Sequence, residues 1–245
     1  MSRSRISRDS SRWSLQRRDL RALRYFPQGG FSPLDLDPEI WFRGDLGITL
    51  NGADVSAWAN QGSTGAVNDA TQATPGNQPA YVSGTYPGVS GVAASNKFLS
   101  LTSFAFGTAA TIVVVCTAQS TQAGYVWAEG VGNIGLLSNH VATGDLEWFN
   151  NPNRQKYVDD PTIGNRYRTV TKQSDGVSLV GRVNGTEAFS VTPTVGLSSI
   201  SILGAASTAP ASPYRGIIHE VVVIKRVISA SELASLETYL TTRWA

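Results

Sequence analysis

The end of the chain holds the feature that most constrains the fold, a strand followed directly by a helix. Residues Gly216–Lys225 are largely apolar and β-branched, which predicts a strand with little solvent on either face. Ser229 and Glu232 have the spacing of a capping box, so a helix should begin there. One face of that helix is apolar, through Leu233, Leu236, Leu240 and Trp244. The strand and the helix together predict a β-sandwich against which the helix packs.

The chain from residue 39 onward contains short strands separated by turn residues, a spacing typical of sandwiches. Asn184-Gly185 predicts a two-residue hairpin turn, which explains this dipeptide better than the glycosylation sequon that Asn184 also begins. The predicted strands are 39–43, 54–59, 78–82, 97–101, 111–118, 123–128, 132–138, 145–149, 166–173, 176–183, 186–191, 199–204 and 216–226.

The composition narrows the class of protein. Hydrophobic residues make up 41% of the chain and charged residues 16%, as in a soluble globular protein. No apolar run approaches the roughly 20 residues that cross a bilayer. The single cysteine, Cys116, lies in a predicted buried strand, so we expect a small core residue and no disulfide. The two histidines, His140 and His219, exclude a multi-histidine metal centre.

Charge is distributed unevenly. Residues 1–26 hold eight arginines and two aspartates, a net charge of +6, while the rest of the chain carries −4 within a total of +2. A Pro- and Gly-rich stretch, residues 27–38, then predicts a linker without a regular element. We therefore divide the chain into a basic arm (1–26), a linker (27–38) and a sandwich (39–245).

The arm permits three interpretations. Arginines with an interleaved tryptophan suit contact with nucleic acid, and a partly amphipathic basic helix suits an anionic membrane or organelle targeting. We favour the third, in which the arm docks onto a protein assembly, its arginines pairing with carboxylates and its apolar residues filling grooves. The docking residues predicted are Arg3, Arg5, Arg8, Arg12, Trp13, Arg17, Arg18, Leu20, Arg21, Leu23 and Arg24.

Six segments of the body resemble the concanavalin A-like lectin/glucanase superfamily of the laminin-G-like kind. They are Ile40–Leu50, Val55–Ser63 with its V-x-x-W-x-N-x-G pattern, Asn68–Thr74, Asn77–Tyr81, Phe98–Leu101, and the closing strand and helix Gly216–Leu240. The resemblance implies an all-β, two-sheet antiparallel jelly-roll sandwich with a C-terminal amphipathic helix. The family spans sugar binding, glycoside cleavage, adhesion and structural modules, so the fold does not settle the function.

Catalysis by this body would need two carboxylates across a cleft. The glucanase relatives carry theirs on one strand as Glu-x-Asp-x-(x)-Glu, and the nearest match is Asp145-Leu-Glu147, without a third acid. We therefore expect an acidic strand edge and no enzyme activity. His219-Glu220 begins like a zinc motif, but position 223 is valine and the segment is a strand, so no metal is expected there.

A sugar site would combine aromatic faces with amide side chains. The stretch from Trp148 to Tyr157 predicts such a polar and aromatic loop, with an ordinary exposed loop as the alternative. Its predicted carbohydrate contacts are Trp148, Asn150, Asn151, Asn153 and Tyr157. No cofactor is expected. Loop oxygens at Asp159-Asp160 or at Asp35 and Asp37 could take calcium, although turn-forming aspartates beside prolines explain both pairs better.

These observations lead to one function and two alternatives. Sandwiches of this family that carry an added arm are familiar in tailed-phage structural proteins. We thus expect a non-enzymatic, multicopy decoration protein of a virion, docked by its arm, with the lectin-like sandwich displayed for weak glycan attachment. The first alternative is a carbohydrate-binding lectin, extracellular or at a cell surface. A glycoside hydrolase is the second.

Overall fold

The computed structural model describes residues 30–245 except for positions 92–95, 120–122, 130–133, 139–144, 151–152, 160, 163, 175–176, 193–196, 198 and 207–211. The described strands are β1 (Ile40–Arg43), β2 (Ile48–Asn51), β3 (Asp54–Trp58), β4 (Ala70–Thr71), β5 (Ala80–Val82), β6 (Gly88–Ser90), β7 (Leu99–Ala105), β8 (Ala110–Ala118), β9 (Gly124–Ala128), β10 (Ile134–Ser138), β11 (Leu146–Asn150), β12 (Asn153–Val158), β13 (Arg166–Ser174), β14 (Ser178–Val183), β15 (Thr186–Val191), β16 (Ser199–Leu203) and β17 (Gly216–Ile224). Short 3-10 helices cover Pro33–Leu36, Gly65–Asn68 and Pro75–Asn77, and a C-terminal α-helix covers Ala230–Trp244.

The strands form two antiparallel rows. In the first row, β1 and β6 both pair with one side of β17, and the order continues β17–β8–β13–β14–β15. The second row runs β2–β3–β4–β7–β16–β9–β10–β11–β12. This arrangement confirms the prediction of a nearly all-β body with one C-terminal helix.

Hydrogen bonding joins the two rows, so the finer prediction of a two-sheet jelly roll stays a prediction. β5 pairs with β3 of the second row and with β6 of the first, so hydrogen bonding continues from one row into the other. At the far ends, the ring of Tyr157 on β12 meets that of Phe189 on β15, with centroids 5.1 Å apart. The result is one large antiparallel sheet that nearly closes on itself like a barrel.

Two apolar cores hold this sheet in place. The main core lies inside the nearly closed sheet and includes Ile218, Val221 and Val223 of β17. A second core lies between the outer face of the first row and the C-terminal helix, and it includes Val222 and Ile224. Every residue of β17 is buried, as predicted, because successive side chains enter different cores.

The C-terminal helix begins at the predicted capping box. The Ser229 hydroxyl accepts a hydrogen bond from the Glu232 amide, and the Glu232 carboxylate accepts one from the Ser229 amide at 2.8 Å. At the other end, the guanidinium groups of Arg166 and Arg168 donate to the Trp244 carbonyl. Both ends are therefore satisfied by side chains. The helix buries Leu236, Tyr239, Leu240 and Trp244.

The described part of the predicted linker, residues 30–38, is not a free spacer. Ser32 and Asp35 form a capping box for the 3-10 helix Pro33–Leu36, in a stretch where no regular element was expected. Leu36 is buried in the second core, and Phe31 packs against that core edge to face with Tyr239. Proline at the first helical turn supplies the required φ angle, so it favours this helix and does not prevent it.

The predicted strands and the Asn-Gly turn agree with the structure. Asn184 and Gly185 have φ angles of 50° and 84°, which a type I′ turn requires. Four strands were not predicted: β2, β4, β6 and β12. In the described residues, no helix is long and apolar enough to span a membrane.

Candidate functional site

The β11–β12 hairpin contains both stretches that the sequence singled out for chemistry. Glu147 on β11 lies opposite Lys156 on β12. The register shifts by one position just before Glu147, which leaves Tyr157 as an extra residue on β12. Most of the stretch that was predicted as a polar loop is therefore a pair of hydrogen-bonded strands.

Trp148 and Tyr157 point into the main core and not toward solvent. Their side chains are 3% and 5% exposed, and the Tyr157 hydroxyl is hydrogen-bonded to the hydroxyl of Thr171. Stacking on a sugar requires an open ring face, so the prediction that these two rings contact carbohydrate is wrong. The side chains of the other predicted contacts, Asn150, Asn151 and Asn153, lie outside the described residues.

The opposite face of the same hairpin is charged. Asp145 and Glu147 are separated by one residue, Leu146, which enters the main core, so strand alternation places the two carboxyl groups together on the other face. Both are almost fully buried, at 1% and 0% exposure. The Lys156 ammonium lies 3.0 Å from Asp145 Oδ2 and 2.8 Å from Asp159 Oδ1. Two buried carboxyl groups thus lie beneath a half-exposed ammonium.

This environment changes the acidity of Glu147. Burial, aided by the negative charge of Asp145, raises the pKa of the Glu147 carboxyl to about 7, although Arg154 and Lys156 oppose the rise. Burial and the charge of Glu147 also raise the pKa of Tyr125 on β9, two strands away. The pKa of Lys156 is raised by its hydrogen bonds to Asp159 and Asp145.

A carboxyl group that titrates near neutral pH can hold or release a proton under physiological conditions. In its neutral form it both donates and accepts hydrogen bonds, which suits the hydroxyl groups of a sugar. The same property suits a general acid, provided that a second carboxylate lies nearby. Asp145 is such a neighbour. Glu147 is 0% exposed in this structure, so saccharide contact or acid catalysis through it requires the hairpin to open.

The second glutamate singled out by the sequence, Glu220, is built into the fold. It is fully buried beneath the C-terminal helix, where its carboxylate accepts hydrogen bonds from the indole N–H of Trp41 at 2.6 Å and the Tyr239 hydroxyl at 2.9 Å. The Trp244 indole N–H donates to its other oxygen. Burial raises the pKa of Glu220, while these donors and Arg43 oppose the rise. Glu220 thus ties β1 and the helix to β17.

His219 has a structural role as well. The Pro87 carbonyl can only accept, so His219 Nδ1 carries the proton and donates to it at 3.0 Å. The Nε2 atom then accepts from the Thr117 hydroxyl at 2.8 Å. Burial lowers the pKa of His219 to about 4, which keeps the ring neutral at physiological pH. Both ring nitrogens are occupied by protein groups, so neither is available to a metal.

Two of the described aspartates proposed for calcium, Asp35 and Asp159, have protein partners. Asp35 caps a 3-10 helix through the Ser32 amide, and Asp159 is paired with Lys156. Asp37 ends that helix in a left-handed conformation, with φ at 51°. Among the described residues, no group of three or more His, Cys, Asp or Glu side chains could hold a metal ion. Asp160, His140 and the whole basic arm (1–26) lie outside the described residues.

Comparisons with known proteins bear on the fold. Neither a protein-family model nor a curated protein sequence matches the chain. Domain 4 of AbnA, a GH43 extracellular arabinanase from Geobacillus stearothermophilus solved in complex with arabinotriose, matches with a TM-score of 0.57 and 15% identity, over 82% of this chain and 98% of that domain. A Trypanosoma rangeli sialidase matches with a TM-score of 0.51 and 14% identity, over 93% of this chain and 39% of the sialidase. At these identities the likeness shows the fold alone.

These comparisons correct the expected function. The matching structures come from an arabinanase and a sialidase, and a second sialidase structure, with a covalently bound difluorosialic acid, matches with a TM-score of 0.50. None of the three is a virion protein. The prediction of a non-enzymatic virion decoration protein is therefore wrong, and the carbohydrate-binding alternative agrees better with the findings.

Two residues of the charged face were not predicted from the sequence. Lys156 was assigned to a loop, and only the register of β11 with β12 places it beside Asp145. Tyr125 lies on a correctly predicted strand, but a chain separation of more than twenty residues hides its proximity to Glu147. The period-2 placement of Lys156 and Arg154 on β12 is the sequence signal that could have revealed part of this face.

Proposed function

We propose that the body of this chain is a carbohydrate-binding module of an extracellular or cell-surface protein, built as a concanavalin A-like two-layer jelly roll. The observation that carries the proposal is the match to an arabinanase domain solved with arabinotriose, which covers 98% of that domain. Because the match spans nearly the whole domain, it relates one complete folding unit to another. The saccharide of that structure is accordingly the first ligand to test.

The charged face of the β11–β12 hairpin is the proposed contact surface. Lys156 supplies N–H donors and Asp159 supplies carboxylate acceptors at its exposed rim, while Asp145, buried beneath them beside Glu147, holds Lys156 in place. Saccharides are recognised by such combinations of donors and acceptors, because each sugar hydroxyl can do both. Asn150, Asn151 and Asn153 stay predicted contacts. The arm, residues 1–26, stays a predicted protein-contact segment.

Calorimetric titration of the full chain with arabinotriose tests the proposal. We expect saturable binding that weakens at least several-fold in a Lys156→Met variant, which keeps most of the side chain but loses the donors. Glu187→Gln, an exposed change on β15, should bind like the unmodified chain. If neither arabinotriose nor any member of a broad glycan array binds, the body is not a carbohydrate-binding module.

A second candidate function is glycoside hydrolysis, favoured by the near-neutral pKa of Glu147 beside Asp145. In this alternative Glu147 protonates the departing glycosidic oxygen and Asp145 acts as the base or nucleophile. Chromogenic arabinosides and sialosides test it directly. Turnover that is lost in Glu147→Gln, with saccharide binding retained, would establish hydrolysis, and turnover unaffected by that change would place any catalysis elsewhere.

A further inference from the structure

Glu147 is fully buried on β11 and is surrounded by titratable groups on the neighbouring elements. Leu137 lies opposite it on β10. The titratable groups nearby are Tyr125 on β9, Asp145 before β11, Arg154 and Lys156 on β12, and Asp159 after β12.

Two cations, Arg154 and Lys156, favour the ionised form of Glu147, and the second of them is already engaged. Lys156 lies between Asp145 and Asp159, at 3.0 and 2.8 Å, so its single charge is shared by two carboxylates. A proton on Glu147 therefore relieves the repulsion between Glu147 and Asp145 that would arise if both were ionised in a low-dielectric site. Without this proton, the hairpin holds two buried negative charges one residue apart.

The strand beside Glu147 lies at an edge of the sheet. β12 ends the second row and, among the described strands, has backbone pairing with β11 alone, while the Tyr157 hydroxyl is hydrogen-bonded to Thr171 on β13. Edge strands open at lower free energy than central ones, because fewer bonds must break. Opening β12 would admit water to Glu147 and would hydrate its charge.

We propose that Glu147 is a proton switch: the carboxyl group is protonated when β12 is tightly paired, and its ionisation above neutral pH loosens β12 and opens the charged face. The direction agrees with the raised pKa of Glu147, about 7 compared with 4.5 for an ordinary glutamate. A group with a raised pKa contributes stability that is complete below pH 4.5 and is lost as the pH rises to about 7.

His219 acts in the opposite direction and must be separated from this effect. Its pKa is lowered from 6.5 to about 4, so its contribution to stability is complete above pH 6.5 and is lost as the pH falls toward 4. As the pH of the unmodified chain rises from about 4 to about 7, the stability gained through His219 partly cancels the stability lost through Glu147. The comparison of variants at each pH removes the His219 contribution, because it is common to all of them.

The test is the thermal midpoint of the full chain, of Glu147→Gln and of the exposed control Glu187→Gln, measured from pH 5 to pH 8.5. We expect the midpoint of Glu147→Gln, relative to the unmodified chain, to rise by on the order of 5 °C between pH 5 and pH 8. The Glu187→Gln difference should stay flat. Parallel curves for Glu147→Gln and the unmodified chain would overturn the switch.

Hydrogen exchange of the unmodified chain gives an independent test that does not require Glu147→Gln to fold. After correction for the intrinsic base-catalysed rate, protection of the Arg154–Val158 amides should fall roughly tenfold between pH 6 and pH 8. Amides of the central strand β17 should show no corresponding change. Constant protection of β12 across this range would contradict the proposal, whatever the thermal midpoints show.

Discussion

Glu147 and Glu220 are both fully buried glutamates on strands, yet they have opposite surroundings. Glu220 lies beneath the C-terminal helix, and donors from Trp41, Tyr239 and Trp244 occupy its two oxygens. Glu147 lies beside another buried acid, Asp145, whose nearest cation is shared with a third carboxylate. Burial alone therefore does not distinguish a structural carboxylate from a functional one. What distinguishes them is whether neutral, fixed donors or other titratable groups surround the charge.

The different surroundings give the two glutamates different roles. Donors held by the fold fix the Glu220 carboxylate in place, so it can join three elements but has little freedom to react. The Glu147 site stores electrostatic repulsion that a proton relieves, so its state responds to pH. We therefore assign the first to folding and the second to function.

Removing the Glu220 carboxylate should have the largest effect. Glu220→Leu leaves the two indole N–H groups and the tyrosine hydroxyl buried without their acceptor, so we expect a loss of about 3–5 kcal/mol in unfolding free energy. Urea denaturation measures it. Glu187→Ala on the exposed strand β15 serves as the control and should change stability by less than about 0.5 kcal/mol. A small loss for Glu220→Leu would show that the donors find other partners.

Removing one donor should have a smaller effect. Tyr239→Phe deletes a hydroxyl that donates to Glu220 and leaves the ring in the second core, so a loss of about 1.5–3 kcal/mol is expected. A double-mutant cycle with Glu220→Gln measures the coupling between the two groups. If the two losses simply add, the hydroxyl does not stabilise the helix through Glu220.

Substitution of Glu147 on the charged face should change the unfolding free energy in the opposite direction. At pH 8, Glu147→Gln replaces a buried ionised group by a neutral one of the same shape, so we expect a gain of about 1–3 kcal/mol in unfolding free energy. At pH 4.5 the gain should largely vanish, because the native glutamate is then protonated. Chemical denaturation at both values measures this, and a loss at pH 8 would mean that Glu147 is as structural as Glu220.

The smallest effect concerns the helix that covers Glu220. Ser229→Ala removes the N-cap acceptor for the Glu232 amide and should cost about 1 kcal/mol. Ser235→Ala, within the same helix, is the matched control and should be neutral or slightly stabilising. Because the helix does not touch the charged face, the pH response of Glu147 should be the same in both variants. A changed response would show that the two regions are coupled.

The sequence was informative where local and long-range patterns agree. β17 and the C-terminal helix were predicted because an apolar run, a capping box and apolar residues at helical spacing all lie within one short segment. The Val55–Ser63 motif was recognised as well, and the structure gives its physical basis. The Asn60 side chain accepts hydrogen bonds from the Trp41 and Gly62 amides, while the Trp58 indole donates to the Arg43 carbonyl. The motif specifies a corner of the fold and not a binding site.

The candidate site was only half predictable. Asp145 and Glu147 were singled out correctly as neighbours on one strand face, but β12 was missed because Asn, Pro and charged residues in this stretch predict a loop. The bulge at Tyr157 also breaks the period-2 pattern, since Tyr157 and Val158 both pack on the main core. Trp148 lies on β11, which was predicted, but the alternation of side chains along β11 does not say which of its two faces enters the core.

The ionisation of the Glu147 carboxyl group itself is the most direct test of the contrast between the two glutamates. Carbon-13 NMR of the full chain labelled at the glutamate side-chain carboxyl, with Glu147→Gln to assign the resonance, follows it from pH 4 to pH 9. The account predicts a midpoint near pH 7, raised by burial and by Asp145. A midpoint close to 4.5, the value of an ordinary solvated glutamate, would contradict the assignment of Glu147 to function.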